Sequence, residues 1–321
     1  MKGRNILSTQ KPIAYGGQAV LEGVMFSGRK VTVTAIRRQD QSIEYFHEEK
    51  KQYPILQTLK KIPFLRGMIG LIEATATGSK HLNFATERYD IEPGEEDSAK
   101  EEKSGWSLSM ILGVAAVGVL SFIFGKLIFT IAPAVLADLL FKQWVTHNVL
   151  QNLIEGGIKI ILLLIYLSAI AQTPLIKRLF QYHGAEHKVI NTYEAGAELT
   201  VDNVQKSSTL HYRCGSSFII FTVLVGVIIY SFFHYDSLWE RVYQRILLLP
   251  LVIGVSYEAL QLTNHLRDTP ALRLLGYPGL WLQKLTTKQP DDKQVEIAIA
   301  SFKKMMELDQ QADQGKLLFV K

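Results

Sequence analysis

The sequence predicts an α+β fold in which a small cytoplasmic unit is joined to a polytopic α-helical membrane protein of about four spans. Three observations carry this: long apolar stretches in the middle of the chain, an alternating hairpin pattern near the N-terminus, and an amphipathic helical pattern near the C-terminus. Hydrophobic residues make up 48% of the 321 residues and mean hydropathy is +0.11, high for a water-soluble protein. The net charge of +5 comes without a long basic run, so nucleic acid is not an expected partner and membrane lipid is. A single cysteine, Cys214, rules out an intramolecular disulfide framework.

Residues 1–89 form the predicted N-terminal α+β unit. Lys2 and Arg4 open the chain without an apolar core of signal-peptide length behind them, so the N-terminus is expected to be retained. The glycine-rich stretch 13–28 lacks a phosphate-binding pattern and reads as tight turns and close backbone packing, with Glu22 as its one carboxylate. Residues 30–36 and 42–48 alternate around a turn-like break at 37–41, the mark of a β-hairpin. Residues 55–83 turn helical with a break at Pro63, giving a helix that lies in the membrane interface or packs on the hairpin.

Residues 90–105, rich in acidic side chains, read as a disordered linker. Residues 106–263 form the predicted membrane domain, with spans at 106–133, 156–173, 216–233 and 246–263 and a mixed, interfacial or re-entrant piece at 134–155. The loop 174–215, with Lys177, Arg178, Lys188, Lys206 and Arg213, and the basic tail 264–321 far outweigh Arg241 and Arg245 between the last two spans. The positive-inside rule therefore puts both termini and that loop in the cytoplasm. In the tail, Asp291 or Asp292 caps a helix with Glu296 in its first turn, and Val295, Ile299, Phe302 and Met305 form a face suited to packing on the hairpin.

The chemistry concentrates in 181–194, which contains His-x-x-Glu-His. On a helix, His183 and His187 share a face with Glu186 on its flank, and the same order defines the inverted zinc-protease motif, in which both histidines bind the metal and the glutamate is the general base. A third ligand is needed. His211 and Cys214, three residues apart just before the third span, are candidates, with His211 preferred because a lone cysteine at a helix start is usually a small buried hydrophobe. Glu258, an ionisable residue within the last span, is the rival. The plain alternative is that the histidines are hydrogen-bonded polar residues beside a membrane helix.

Four blocks in order, 16–25 (GGQAVLEGVM), 180–188 (FQYHGAEHK), 211–218 (HYRCGSSF) and 285–299 (with TTKQPDD), resemble the signature blocks of the YqhQ family of bacterial membrane proteins. Tyr212 stands where that family usually has proline and Ser216 where threonine is usual. The resemblance implies a multi-pass protein of the bacterial plasma membrane and a metal-dependent enzyme of unassigned reaction. Two functions follow as expectations: a hydrolase using a divalent metal, with zinc foremost, and Glu186 as base, or a non-enzymatic accessory factor for insertion, translocation or transport that binds a protein partner in the membrane.

Overall fold

The computed structural model describes residues 15–51, 53–89, 125, 127–266, 269 and 272–314. The expected acidic linker and most of the expected first span lie outside the described residues.

The glycine-rich stretch is itself a hairpin. β1 (Gly16–Val20) and β2 (Gly23–Ser27) meet across a two-residue turn in which Glu22 takes φ 52°, and β3 (Val31–Arg37) and β4 (Ile43–Glu49) continue a four-stranded antiparallel meander in the order β1-β2-β3-β4. The expected hairpin is thus present, but it is half of the sheet. Both faces are covered. One buries Val20, Met25 and Ile36 against α2 (Leu65–Tyr89), which follows the short α1 (Pro54–Leu59) after a break at Phe64, φ 68°.

The other face buries Val24, Phe26, Val31, Val33 and Ala35. Its cover comes from α11 (Asp292–Asp313), through Val295, Phe302 and Met305, and from α5 (Pro174–Glu194), through Tyr182, Ala185 and Val189. Asp291 caps α11 in a reciprocal capping box with Gln294, as the tail's acids predict. At the far end of α11, buried Asp309 accepts the backbone N–H groups of Arg29, Lys30 and Val31 at 2.8, 2.7 and 3.2 Å, fastening the β2–β3 turn.

Along the chain between α2 and α11 come a short π-helix (Leu127–Ile131), α3 (Ala132–Phe141), α4 (Asn148–Ile170), α5, α6 (Val201–Lys206), α7 (Ser217–Tyr230), α8 (Leu238–Leu247), α9 (Leu249–His265) and α10 (Tyr277–Thr286). By length and composition α4 is the one clear candidate membrane span among the described residues, and α8 with α9, bent by 54°, makes a second if the pair is taken as one. α4 starts at Asn148, well before the expected 156, because Gln151, Asn152 and Glu155 are buried partners rather than interfacial residues. Around them α8 is inside out. Arg241 is fully buried and Trp239 is 81% exposed, with Tyr243, Ile246 and Leu247 also outward. Glu155 binds both Arg241 and Arg245, and Asn152 accepts from Arg245 at 2.6 Å.

His81 of α2 is fully buried, with its Nδ1 2.7 Å from the Thr34 hydroxyl. Burial lowers its pKa from 6.5 to about 4, so below pH 6.5 protons bind the unfolded chain in preference. Stability should therefore fall as pH drops from 6.5 towards 4, and His81→Gln should flatten that part of the profile in thermal-unfolding measurements; an unchanged slope would contradict the assignment.

Candidate metal centre

α5 is built to run straight through the site. Pro174 sits at its first turn, where a missing N–H costs nothing, and Gly196 in the left-handed region (φ 69°) closes it. The closing bonds are Gly196 N–H to Tyr193 at 2.9 Å and Ala197 N–H to Thr192 at 3.1 Å. The face opposite the sheet then grips the last turn of α6 and the return segment after it. Lys188 Nζ donates to the carbonyls of Gln205 and Ser207 at 2.6 and 2.8 Å, and Asn191 Nδ2 to those of Ser208 and Leu210 at 2.8 and 3.0 Å. Lys188, counted from sequence as a loop charge, is in fact buried by this role.

That grip delivers Cys214 to the histidines. His183, His187 and Cys214 each offer one ligand atom, all within 4.8 Å of one another. His183 Nδ1 lies 2.8 Å from the Thr286 carbonyl and His187 Nδ1 2.6 Å from the Thr209 carbonyl. A carbonyl only accepts, so each Nδ1 carries the proton and each Nε2 is left with its lone pair, the tautomer a metal ligand needs. His183 Nε2 stands 3.2 Å from Cys214 Sγ, while His187 Nε2 is buried and makes no hydrogen bond of normal geometry. Burial holds His187 below the usual imidazole range and so favours the neutral ring, against the opposing effect of Cys214. The sulfur also meets the Ser216 hydroxyl at 3.0 Å and accepts the Ser216 N–H at 3.4 Å, which hold it in place. Two imidazoles and a sulfur form a donor set that zinc accepts.

Glu186 is buried beside them. Its carboxylate accepts the Gly17 N–H, Oε2 has no partner, and burial raises its pKa, with the fields of His183 and His211 opposing. A cleft of about 450 Å³ opens onto His183, Glu186, Cys214 and the strand β1.

The other expected ligands go elsewhere. His211, preferred over Cys214 from sequence, is clamped by Gln283, which accepts its N–H and donates to its carbonyl, both at 2.8 Å; its Nε2 lies 3.5 Å from Glu194. Its ring remains 5.7 Å from that of His187, a neighbour of the cluster rather than a member. Glu258 is held by Arg66, with Nε to Oε1 at 2.7 Å, and by the Phe64 N–H at 3.1 Å, because α2 passes α9 there. Glu22 is ion-paired with Arg178 and accepts from the Tyr182 hydroxyl at 3.1 Å. Sequence reasoning passed over Glu194, Gln283 and the carbonyls of Thr209 and Thr286. Only Glu194, at the end of the motif stretch, left any trace there.

A protein-family model described as a protein of unknown function (DUF1385) matches residues 62–308, and the chain belongs to that family. It is also 55% identical over 306 residues, 95% of this chain and 96% of the relative, to the "Uncharacterized protein YqhQ" of Bacillus subtilis (strain 168), so the YqhQ resemblance read from the four blocks holds. No solved structure matches.

Gly184, between the histidines, decides how closely α5 can approach the connection into α11: a Cβ there would stand 2.0 Å from the Lys288 carbonyl oxygen. Helix propensity alone would make Gly184→Ala stabilising by about 1 kcal/mol. Because the obstacle is backbone, the variant should instead lose about 2 kcal/mol in denaturant unfolding, and a stabilised protein would contradict the packing.

Proposed function

We propose that the chain is a metal-dependent hydrolase of the membrane, with its centre at the cytoplasmic face. The observation that carries this reading is the convergence of two imidazole lone pairs, each fixed by a carbonyl on the opposite nitrogen, upon the Cys214 sulfur beside a carboxylate and an open cleft. His183, His187 and Cys214 would hold zinc, with a fourth position left towards the cleft; three ligands and an opening favour chemistry over a closed structural ion. Zinc supplies Lewis acidity and makes water a nucleophile near neutral pH.

The chain's own groups account for the rest. Gly17 N–H orients Glu186, and the unpartnered Oε2 is free to take a proton from water and return it to a leaving group. Burial makes this carboxylate a stronger base than an exposed one. Ser216 holds the sulfur, and Thr209 and Thr286 hold the ring orientations.

Membrane embedding is supported by α4 and by the inside-out α8, whose arginines point into the helix cluster while its tryptophan and aliphatic side chains face outward. The metal cluster and the Glu155 cluster lie towards opposite ends of α4, since α5 follows the C-terminal end of α4 after a short turn. With the basic tail and the α5 region inside, hydrolysis takes place at the inner surface of a multi-pass plasma-membrane protein.

Elemental analysis of purified protein tests the reading. About one equivalent of zinc is expected in the parent and in Glu186→Gln, with loss in the His183→Ala/His187→Ala protein and weakened retention in Cys214→Ser. Full metal content in the double variant would sink the proposal.

A further inference from the structure

The cleft beside the candidate metal centre has a wall of unusual kind, the outer edge of a sheet. Among the described residues β1 is an edge strand, and Gly16, Gly17, Gln18 and Ala19 all line the cleft. In an antiparallel pair successive residues turn their N–H and C=O groups alternately towards the partner strand and away from it. The register fixes the phase: Val20 pairs with Gly23 across the two-residue turn, so Gly16 and Gln18 bond β2 in step with Val20, while the N–H of Gly17 points away from β2, on the side of Glu186. The C=O of Gly17, and both backbone groups of Ala19, therefore face away from β2 as well. Among the described residues none of these three groups is hydrogen-bonded. The strand is open at Gly16, where a Cβ would meet nothing within 4 Å, and at Gly17 the Glu186 side chain stands against it, 3.0 Å from where a Cβ would lie.

An edge with vacant, regularly spaced donors and acceptors matches another extended backbone, and such edges recruit peptides by strand addition. We propose that β1 docks an extended polypeptide segment as an added strand, which makes an unfolded stretch of protein the substrate of this centre. The inference rests on the hydrolase reading and deepens it by naming the bond as a peptide amide. A segment aligned on Ala19 and Gly17 runs past Glu186 and His183, because the same strand that offers the vacant groups also holds the Glu186 carboxylate. Leu179 and Phe180 supply apolar contact for its side chains.

The reaction balances without a co-reactant. Water oxygen bonds the amide carbon, the C–N bond breaks, and the proton taken by Glu186 passes to the departing nitrogen. Recognition through backbone groups makes the site tolerant of sequence and selective for unfolded chain, since a folded segment has already used those groups.

The experiment measures binding of two hydroxamates to the zinc-loaded full-length protein: acetohydroxamate, which has only the metal-binding group, and the hydroxamate of a capped alanine-leucine tetrapeptide, which adds a backbone. The peptide compound should bind at least about tenfold more tightly, the worth of one or two backbone hydrogen bonds. Ala19→Pro removes an N–H that lies outside the β1–β2 ladder, so it should abolish that gain while acetohydroxamate binds as before. With the unaltered protein, N-methylating one alternate set of the peptide's N–H groups should abolish the gain and methylating the other set should not. Equal affinity of the two hydroxamates, or a gain that survives Ala19→Pro and both methylations, overturns the docking strand while leaving the metal centre intact. If neither compound binds and the protein holds no zinc, the metal reading fails and the substrate assignment falls with it.

Discussion

The last turn of α6 and the return segment after it, residues 205–210, present a row of backbone carbonyls with no strand beside them, and α5 satisfies them with side chains. Buried carbonyls must find donors, and here Lys188, Asn191 and His187 supply them from one helical face. The positions of Cys214 and the start of α7 follow from that grip. So does the His187 tautomer, because the hydrogen bond that anchors the segment at Thr209 is the same one that turns Nε2 towards the sulfur. Charge-assisted bonds of the Lys188 kind are worth about 1.5–3 kcal/mol each when buried, so the segment is held as firmly as a paired strand would be.

α5 also joins the two halves of the molecule. Tyr182, Ala185 and Val189 fill the core between the sheet and α11, while the helix continues directly from the turn after α4. The rigid elements on either side fix the site: β1 carries the Gly17 contact to Glu186, and α10 carries the Thr286 carbonyl and the Gln283 clamp. A centre assembled from a sheet edge, a central helix, a return segment and a C-terminal helix draws residues from 17 to 286, which is why α11 must pack back onto the N-terminal strands for the site to exist.

Much of this was legible in the sequence where the signal is local. The His183/Glu186/His187 spacing, the alternation of 30–36 and 42–48, the break before α2 and the Asp291 cap all express short-range geometry, and each has its structural counterpart. The glycine-rich hairpin was less visible because Gly16, Gly17 and Gly23 dilute the strand pattern; its role came from close approach, to Glu186 in one case and to the Ala35 carbonyl in the other. The third member of the cluster was misjudged for a physical reason. His211 and Cys214 are equally near the motif in sequence, and only the long-range clamp by Gln283 and the pull of Glu194 take the imidazole away and leave the thiol facing inward. Glu258 looked like a ligand because a lone acid in an apolar helix needs a partner, and Arg66, from a helix nearly two hundred residues earlier, was invisible as that partner.

X-ray absorption at the zinc edge on the metal-loaded protein tests the central claim most directly. The structure predicts one sulfur at about 2.3 Å and two imidazole nitrogens at about 2.0 Å, completed by a light exchangeable ligand. The sulfur shell should vanish in Cys214→Ser. A shell without sulfur, or four protein ligands with no exchangeable position, would contradict a catalytic centre built on His183, His187 and Cys214.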